Sequence, residues 1–230
     1  MITKLLSTAV KLYLRSQVSQ VEDLQVKISG KNRQIITGYI PQVFLSCKKG
    51  IYQGLHLREI EVNGDNIAVN LPEVLKKKPL KLLEPIIVAV KLGLDGNDLF
   101  NSLDSELLQS GLTDIWKIIL ESEREVLRDF PLVGFNIEWN NIAIANQELN
   151  FSGTYQDNTN KEKKLILSTG VFLCNSHTLC LSPLKIANDS DSIAELIEKV
   201  EIDLGKDVYL EKLVVASQQI LCSGKITVNN

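Results

Sequence analysis

Leu55-His-Leu-Arg-Glu-Ile-Glu-Val62, then Asn63-Gly-Asp-Asn66 and Ile67-Ala-Val-Asn-Leu71, is the stretch on which the fold turns. Leu55, Leu57, Ile60 and Val62 follow a two-residue spacing that slips once, which predicts a strand with a bulge near Arg58-Glu59. Asn63-Gly64-Asp65-Asn66 tolerates left-handed backbone, so it predicts a tight hairpin into a strand carrying Ile67, Val69 and Leu71. Strands joined this closely pair antiparallel.

The same two-residue period extends in both directions. Leu24, Val26 and Ile28 alternate with Gln25, Lys27 and Ser29, Gly30-Lys31-Asn32 supplies a turn, and residues 34–48 form an extended run. Ile86, Val88, Val90 and Leu92 make a further strand after a lysine-rich connector. Beyond residue 137 the period returns at Ile137 and Trp139, Ile142 and Ile144, and Leu149, Phe151 and Tyr155. A polar turn at 156–163 leads to strands at 164–174 and 179–186, and the chain closes with strands at 208–210, 213–215 and 220–228.

Helical spacing interrupts these runs. In residues 2–17, Ile2, Leu5, Leu6, Ala9, Leu12 and Tyr13 share one face, and Lys4, Lys11 and Arg15 form a basic stripe. That pattern fits a helix lying in a membrane interface, and equally the preferred reading, a helix covering a sheet. Asp95-Gly96-Asn97 offers caps for a short helix from Asp98 to about Ser105. Residues 112–128 form a longer helix with Leu112, Ile115, Trp116, Ile119, Val126 and Leu127 on one side, ended by Phe130-Pro131. Ile193, Leu196, Ile197 and Val200 predict one more at 191–200. Strand meander, helices and second meander specify an α+β fold with antiparallel sheet in one domain, residues 1–230.

Composition removes several classes of function. The chain has 230 residues, 44% of them apolar, enough for a substantial core. With 25 basic and 28 acidic residues and a net charge of −3, it lacks the basic excess of a nucleic-acid binder. Cys47, Cys174, Cys180 and Cys222 are too scattered to read as a disulfide framework, which suits a reducing compartment. The start of the chain reads as no signal peptide, and no window approaches the ~20 apolar residues needed to cross a bilayer. The expectation is a cytoplasmic protein in peripheral contact with a membrane.

The search for chemistry finds little. His56 and His177 stand away from any nucleophile motif, and no phosphate-binding, dinucleotide or zinc-protease signature occurs. The carboxylates at Glu121, Glu123, Glu125 and Asp189-Ser190-Asp191 read as solvated surface. Cys174-x-x-His177-x-x-Cys180 has zinc-ligand types in close spacing. The preferred reading is a hairpin tip from Asn175 to Thr178 flanked by two small buried cysteines, with no metal and no cofactor.

Two features point to lipid. Lys76, Lys77, Lys78 and Lys81 are bracketed by Leu75, Leu80, Leu82 and Leu83, which suits an anionic membrane surface. It equally suits a loop whose leucines dock on the sheet while the lysines reach water. Second, alternating strands leave one apolar face to be covered, and whatever the helices leave open would accept an acyl chain. The candidate acyl-groove residues are Leu5, Leu12, Tyr13, Leu112, Ile115, Trp116 and Ile119. An alternative is a protein-interaction module that docks a partner's helix or strand on the same strip.

The order of these segments resembles the LmeA-like phospholipid-binding family. Val21-Glu-Asp-Leu-Gln-Val-Lys-Ile-Ser-Gly30 leads into Gly38-Tyr-Ile-Pro-Gln-Val-Phe-Leu-Ser46, similar to the family's G-x-I-x-x-V-x-L-x-A strand with Ser46 in the small position. Residues 52–62, 81–92, 98–103, 107–116 and 213–228 are similar to its later segments. The resemblance implies a tubular lipid-binding (TULIP, BPI-like) architecture, a long curled antiparallel sheet wrapped around amphipathic helices with an apolar groove. It also implies binding of anionic phospholipid at a membrane without catalysis.

Overall fold

The computed structural model describes residues 7, 8, 10, 11, 15, 18–74, 78, 81–122, 127, 137–156, 160–188, 193–216 and 218–229. Residues 7, 8, 10, 11 and 15 are helical, and the rest of the helix expected over 2–17 lies outside the described residues.

The first sheet has the order β1-β2-β3-β4-β12-β11. Its strands are β1 (Val18–Ser29), β2 (Tyr39–Tyr52), β3 (Leu55–Ala68), β4 (Ile86–Asp95), β11 (Val208–Ala216) and β12 (Gln219–Val228). The second has the order β10-β8-β7-β6-β5, with β9 also on β8. These are β5 (Glu138–Ala145), β6 (Glu148–Gln156), β7 (Glu162–Asn175), β8 (Thr178–Ala187), β9 (Ile193–Ile197) and β10 (Val200–Asp203). All the pairings are antiparallel. The described helices outside the N-terminal segment are α1 (Asn32–Ile36), α2 (Leu71–Val74), α3 (Gly96–Asn101) and α4 (Glu106–Ser122). This is an α+β protein built mainly of antiparallel sheet.

Several expectations need correction. Asn63–Asn66 is strand interior, because Phe44 pairs with Asn63 and Gln42 with Asp65 in a register without a shift from Tyr39↔Ala68 to Tyr52↔Leu55. The chain reverses instead at Gln53-Gly54, with φ of +49° and +82°, the two left-handed residues of a tight hairpin turn. Pairing along the whole strand outweighs the local turn chemistry of Asn-Gly, and the expected bulge at Arg58-Glu59 is absent from that register. The β1–β2 pairing, by contrast, shifts its register around Asp23, at φ +48°.

Residues 34–36, expected as the start of an extended run, belong instead to α1, which buries Ile35 completely. The 191–200 segment forms β9 and β10 rather than a helix. Leu184↔Ile197 and Val200↔Leu181 add it to the open edge of β8, so pairing overrides the helical spacing. The longer helix starts at Glu106, not 112. Gly111 sits where a side chain would meet nothing, so it weakens the helix without breaking it. The Asp95 cap is present: its Oδ1 accepts from Asp98 N–H at 2.9 Å, and Asp98 Oδ2 accepts from Asp95 N–H at 2.9 Å.

Two apolar clusters hold the molecule. The larger packs Leu112, Trp116 and Ile119 of α4 against Trp139, Leu165, Leu167, Leu184 and Ile186 of the second sheet. Each such side chain contributes about 1.5–3 kcal/mol on burial. The smaller gathers Ile28, Ile35, Ile40, Ile67 and Val69 at one end of the first sheet, with Val10, Leu82 and Ile86 against it. Val10 is the described N-terminal residue that packs against this cluster. The sheets meet where the β7–β8 tip bonds the loop before β11 and β11 itself: Leu204 N–H to His177 O at 2.8 Å and Leu210 N–H to Ser176 O at 2.7 Å.

Gly38, at φ +90°, accepts from Val69 N–H through its carbonyl at 2.8 Å. A methyl at this position would overlap the Val69 carbonyl oxygen. Gly38→Ala is expected to cost about 2 kcal/mol or more, lowering the melting temperature by roughly 4–8 °C in thermal circular dichroism. An unchanged melting temperature would contradict this packing.

Candidate functional site

Between α4 and the second sheet lies a cavity of about 160 Å³. Leu112, Ile115, Trp116 and Ile119 of α4 form one wall, and Trp139, Phe151, Leu167, Val171, Leu179 and Leu181 face them from four strands. No polar surface faces the space. The hydroxyl of Thr169, also in the lining, donates to the Gly170 carbonyl at 3.0 Å. A space of this size with no polar surface suits an apolar guest of about six carbons better than water. Hydrocarbon entering it gains about 0.8 kcal/mol per buried methylene. The cavity suits a segment of acyl chain, not a whole one.

The four α4 residues expected at an acyl groove line this cavity together. Leu5, Leu12 and Tyr13 lie outside the described residues. Sequence reasoning missed the sheet side. The signal was present, since Trp139, Phe151 and Leu167 sit on the buried phase of their strands, but nothing local says which helix they face.

A second apolar surface belongs to the first sheet. Cys47, Ile60, Leu92, Cys222 and Leu213 pair in one row across five strands, and Leu45, Val62 and Val90 form the next row. Leu45, Ile60, Val62, Val90, Leu92 and Leu213 are only half-buried and belong to neither cluster. The opposite face carries Lys48, Glu59, Glu61 and Lys91, with Lys91 paired to Glu61 at 3.2 Å. The sheet therefore has one apolar and one polar face, as the alternation predicts.

The polar groups are engaged elsewhere. A cleft of about 720 Å³, near the start of α3, contains Arg58, Asp95, Asn97, Phe100 and Asn141. Arg58 is paired with Asp95. Burial acts to raise the Asp95 carboxyl, but the Asp98 N–H and the Arg58 guanidinium outweigh it and hold the group below the usual carboxylate range. Burial pushes the thiols of Cys47 and Cys222 up, so both are neutral at pH 7 and poor nucleophiles. His177 Nδ1 bonds the Val208 carbonyl at 2.6 Å.

Cys174 and Cys180 form a disulfide across the β7–β8 hairpin, their Cα atoms 5.7 Å apart. This corrects the reading of two small buried cysteines flanking the hairpin tip. Cys174 is exposed while Cys180 is buried, and the two sulfurs are bonded to each other. Their near neighbour among ligand types is Glu201, not His177, and a disulfide offers no thiolate to a metal.

Of the lysine cluster, Lys78 and Lys81 are described and exposed, whereas Lys76 and Lys77 lie outside the described residues. Buried Asn70 closes the base of this excursion, its Oδ1 accepting from Lys81 N–H at 2.7 Å. Lys78 pairs with Glu73 at 3.4 Å.

The antiparallel scaffold thus offers two apolar surfaces, the α4 cavity and the half-buried face of the first sheet. The sequence agrees at the level of family: a model for LmeA-like phospholipid-binding matches residues 1–225, and the chain belongs to that family. Comparisons with curated proteins and with solved structures find no match.

Alkylation of the unreduced, denatured protein is expected to label two cysteines, Cys47 and Cys222, and to label four after reduction. Four labels before reduction in mass spectrometry would remove the disulfide.

Proposed function

We propose that this chain is a non-catalytic phospholipid-binding protein working at a membrane surface. Acyl carbon enters the cavity between α4 and the second sheet, and the rest of the lipid's apolar length lies along the half-buried face of the first sheet. The carrying observation is the α4 cavity, whose wall offers hydrocarbon contacts and no polar surface. Membership of a phospholipid-binding family supports the ligand class. The curled-sheet, TULIP-like wrap belongs to this proposal, as does carriage of lipid between membranes.

The headgroup side of the reading rests on charge. Lys78 and Lys81 are exposed, and Lys76 and Lys77 are their neighbours in sequence. Together they favour an anionic lipid, each lysine adding about 1 kcal/mol near a charged surface. No helix among the described residues is long and apolar enough to cross a bilayer, so the membrane contact proposed is peripheral. The compartment turns on one bond, because a cytoplasmic protein would keep Cys174 and Cys180 as thiols.

The non-catalytic reading draws on how candidate groups are used. Asp95 and Asp98 cap a helix, the Cys47 and Cys222 thiols are kept neutral by burial, and the His177 ring is tied to a carbonyl.

Native mass spectrometry and solvent extraction of the purified protein test the proposal. The expected result is a mass excess that extracts as phospholipid. Val171→Phe, which fills the cavity, is expected to reduce that lipid severalfold while circular dichroism keeps its native form. A lipid-free protein that also ignores liposomes would contradict the reading and favour a protein partner on the apolar face.

A further inference from the structure

Three of the exposed apolar side chains among the described residues lie at one end of the first sheet. Of the five most exposed large ones among the described residues, Ile87 at 63%, Leu83 at 57% and Ile36 at 48% lie at the same end of the first sheet. Backbone bonds bring them together: Val69 N–H donates to Gly38 O and Leu83 N–H to Ala68 O, both at 2.8 Å, and Val69 bridges to Leu82. β4 begins three residues after Leu83.

Each belongs to an apolar doublet. Ile35, Leu82 and Ile86 are the inner members, and all three pack into the smaller core cluster. Ile36, Leu83 and Ile87 are the outer members and face water. Packing accounts for the inner residues, and the outer ones stand on adjoining segments of one sheet end rather than scattered singly.

Charge supplies the occupant. Lys31 and Arg33 flank or sit on α1, and Lys78 and Lys81 stand on the neighbouring excursion, all exposed. Among the described residues the carboxylates at this end are Asp65, Glu73, Glu84 and Asp207, with Glu73 paired to Lys78 and Lys206 beside Asp207 in sequence. Lys76 and Lys77 extend the basic run in sequence. Tyr39, 36% exposed, donates its hydroxyl to Asn66 Oδ1 at 2.5 Å, an amphipathic ring of the kind favoured at a bilayer interface. Apolar tips with Lys31 and Arg33 beside Ile36, and Lys81 beside the Leu82-Leu83 doublet, match an anionic lipid surface.

We propose that this end of the first sheet is the membrane-docking edge, with Ile36, Leu83 and Ile87 entering the bilayer interface and Lys31, Arg33, Lys78 and Lys81 meeting anionic headgroups. The inference rests on the phospholipid-binding reading and gives it an orientation. A docked edge sets the strand ends of β2, β3, β4 and β12 against the lipid, so an acyl chain leaves the bilayer along the apolar face of the first sheet.

Flotation with phosphatidylcholine vesicles, with and without phosphatidylglycerol, tests it. The intact protein is expected to prefer the anionic vesicles and to lose that preference as salt shortens the Debye length. Ile36→Ser with Leu83→Ser should lower binding about tenfold or more. Lys31→Gln with Arg33→Gln should lower binding to anionic vesicles alone. Leu196→Ser, equally exposed on β9 of the other sheet, should change nothing. Full binding by the Ile36/Leu83 double variant, or an equal loss from Leu196→Ser, would overturn the docking edge. A protein that yields extractable phospholipid yet ignores vesicles overturns this edge and leaves the lipid-binding reading standing. One that shows neither overturns both.

Discussion

The pairing of β4 with β12 is the constraint on which the rest of the structure depends. Ten pairs run without a shift from Ile86↔Val228 to Asp95↔Gln219, joining segments more than a hundred residues apart. Where they end, Gly96 N–H bonds the Gln218 carbonyl at 3.2 Å, and the Asp95–Asp98 box starts α3. Ser105 then accepts from Leu108 N–H at 3.4 Å and donates to the Gln53 carbonyl at 2.9 Å, tying the first turn of α4 to the β2–β3 hairpin. The long helix that walls the cavity is thus aimed by the first sheet, while its apolar face is buried by the second.

This arrangement separates two kinds of apolar surface. The α4 cavity is small and shows only apolar surface, which in the proposed reading favours hydrocarbon over water. The first sheet's apolar face is broad and half-buried, so it can follow a longer chain without a fixed register of polar contacts. An unfilled cavity forfeits packing energy, and a ligand that fills it stabilises the fold in proportion to the logarithm of its concentration.

Much of this was legible in the sequence, and what was not has physical reasons. The alternation in β4 and β12 and the helical face of Leu112, Ile115, Trp116 and Ile119 are local signals, and they predict the α+β architecture and one wall of the cavity. The opposite wall comes from β5, β6, β7 and β8, whose convergence is set by tertiary pairing. Asn63-Gly64 carries strong turn chemistry, yet continuous pairing with β2 overrides it. Leu196 and Ile197 read as helix because short strands on an open edge leave no distinct period. The doublets Ile35-Ile36, Leu82-Leu83 and Ile86-Ile87 break both periods, so sequence alone does not reveal that one member of each is core and the other surface.

The two tryptophans of the chain, Trp116 and Trp139, both line the α4 cavity, so intrinsic fluorescence reports on that space directly. Titration with phospholipid brominated along its acyl chains is the most direct test of the central claim. The account predicts saturable quenching of tryptophan emission, relieved by competing unbrominated lipid and weakened in Val171→Phe. Lipid binding that leaves the emission unquenched would contradict it, because the acyl chain would then lie outside the cavity.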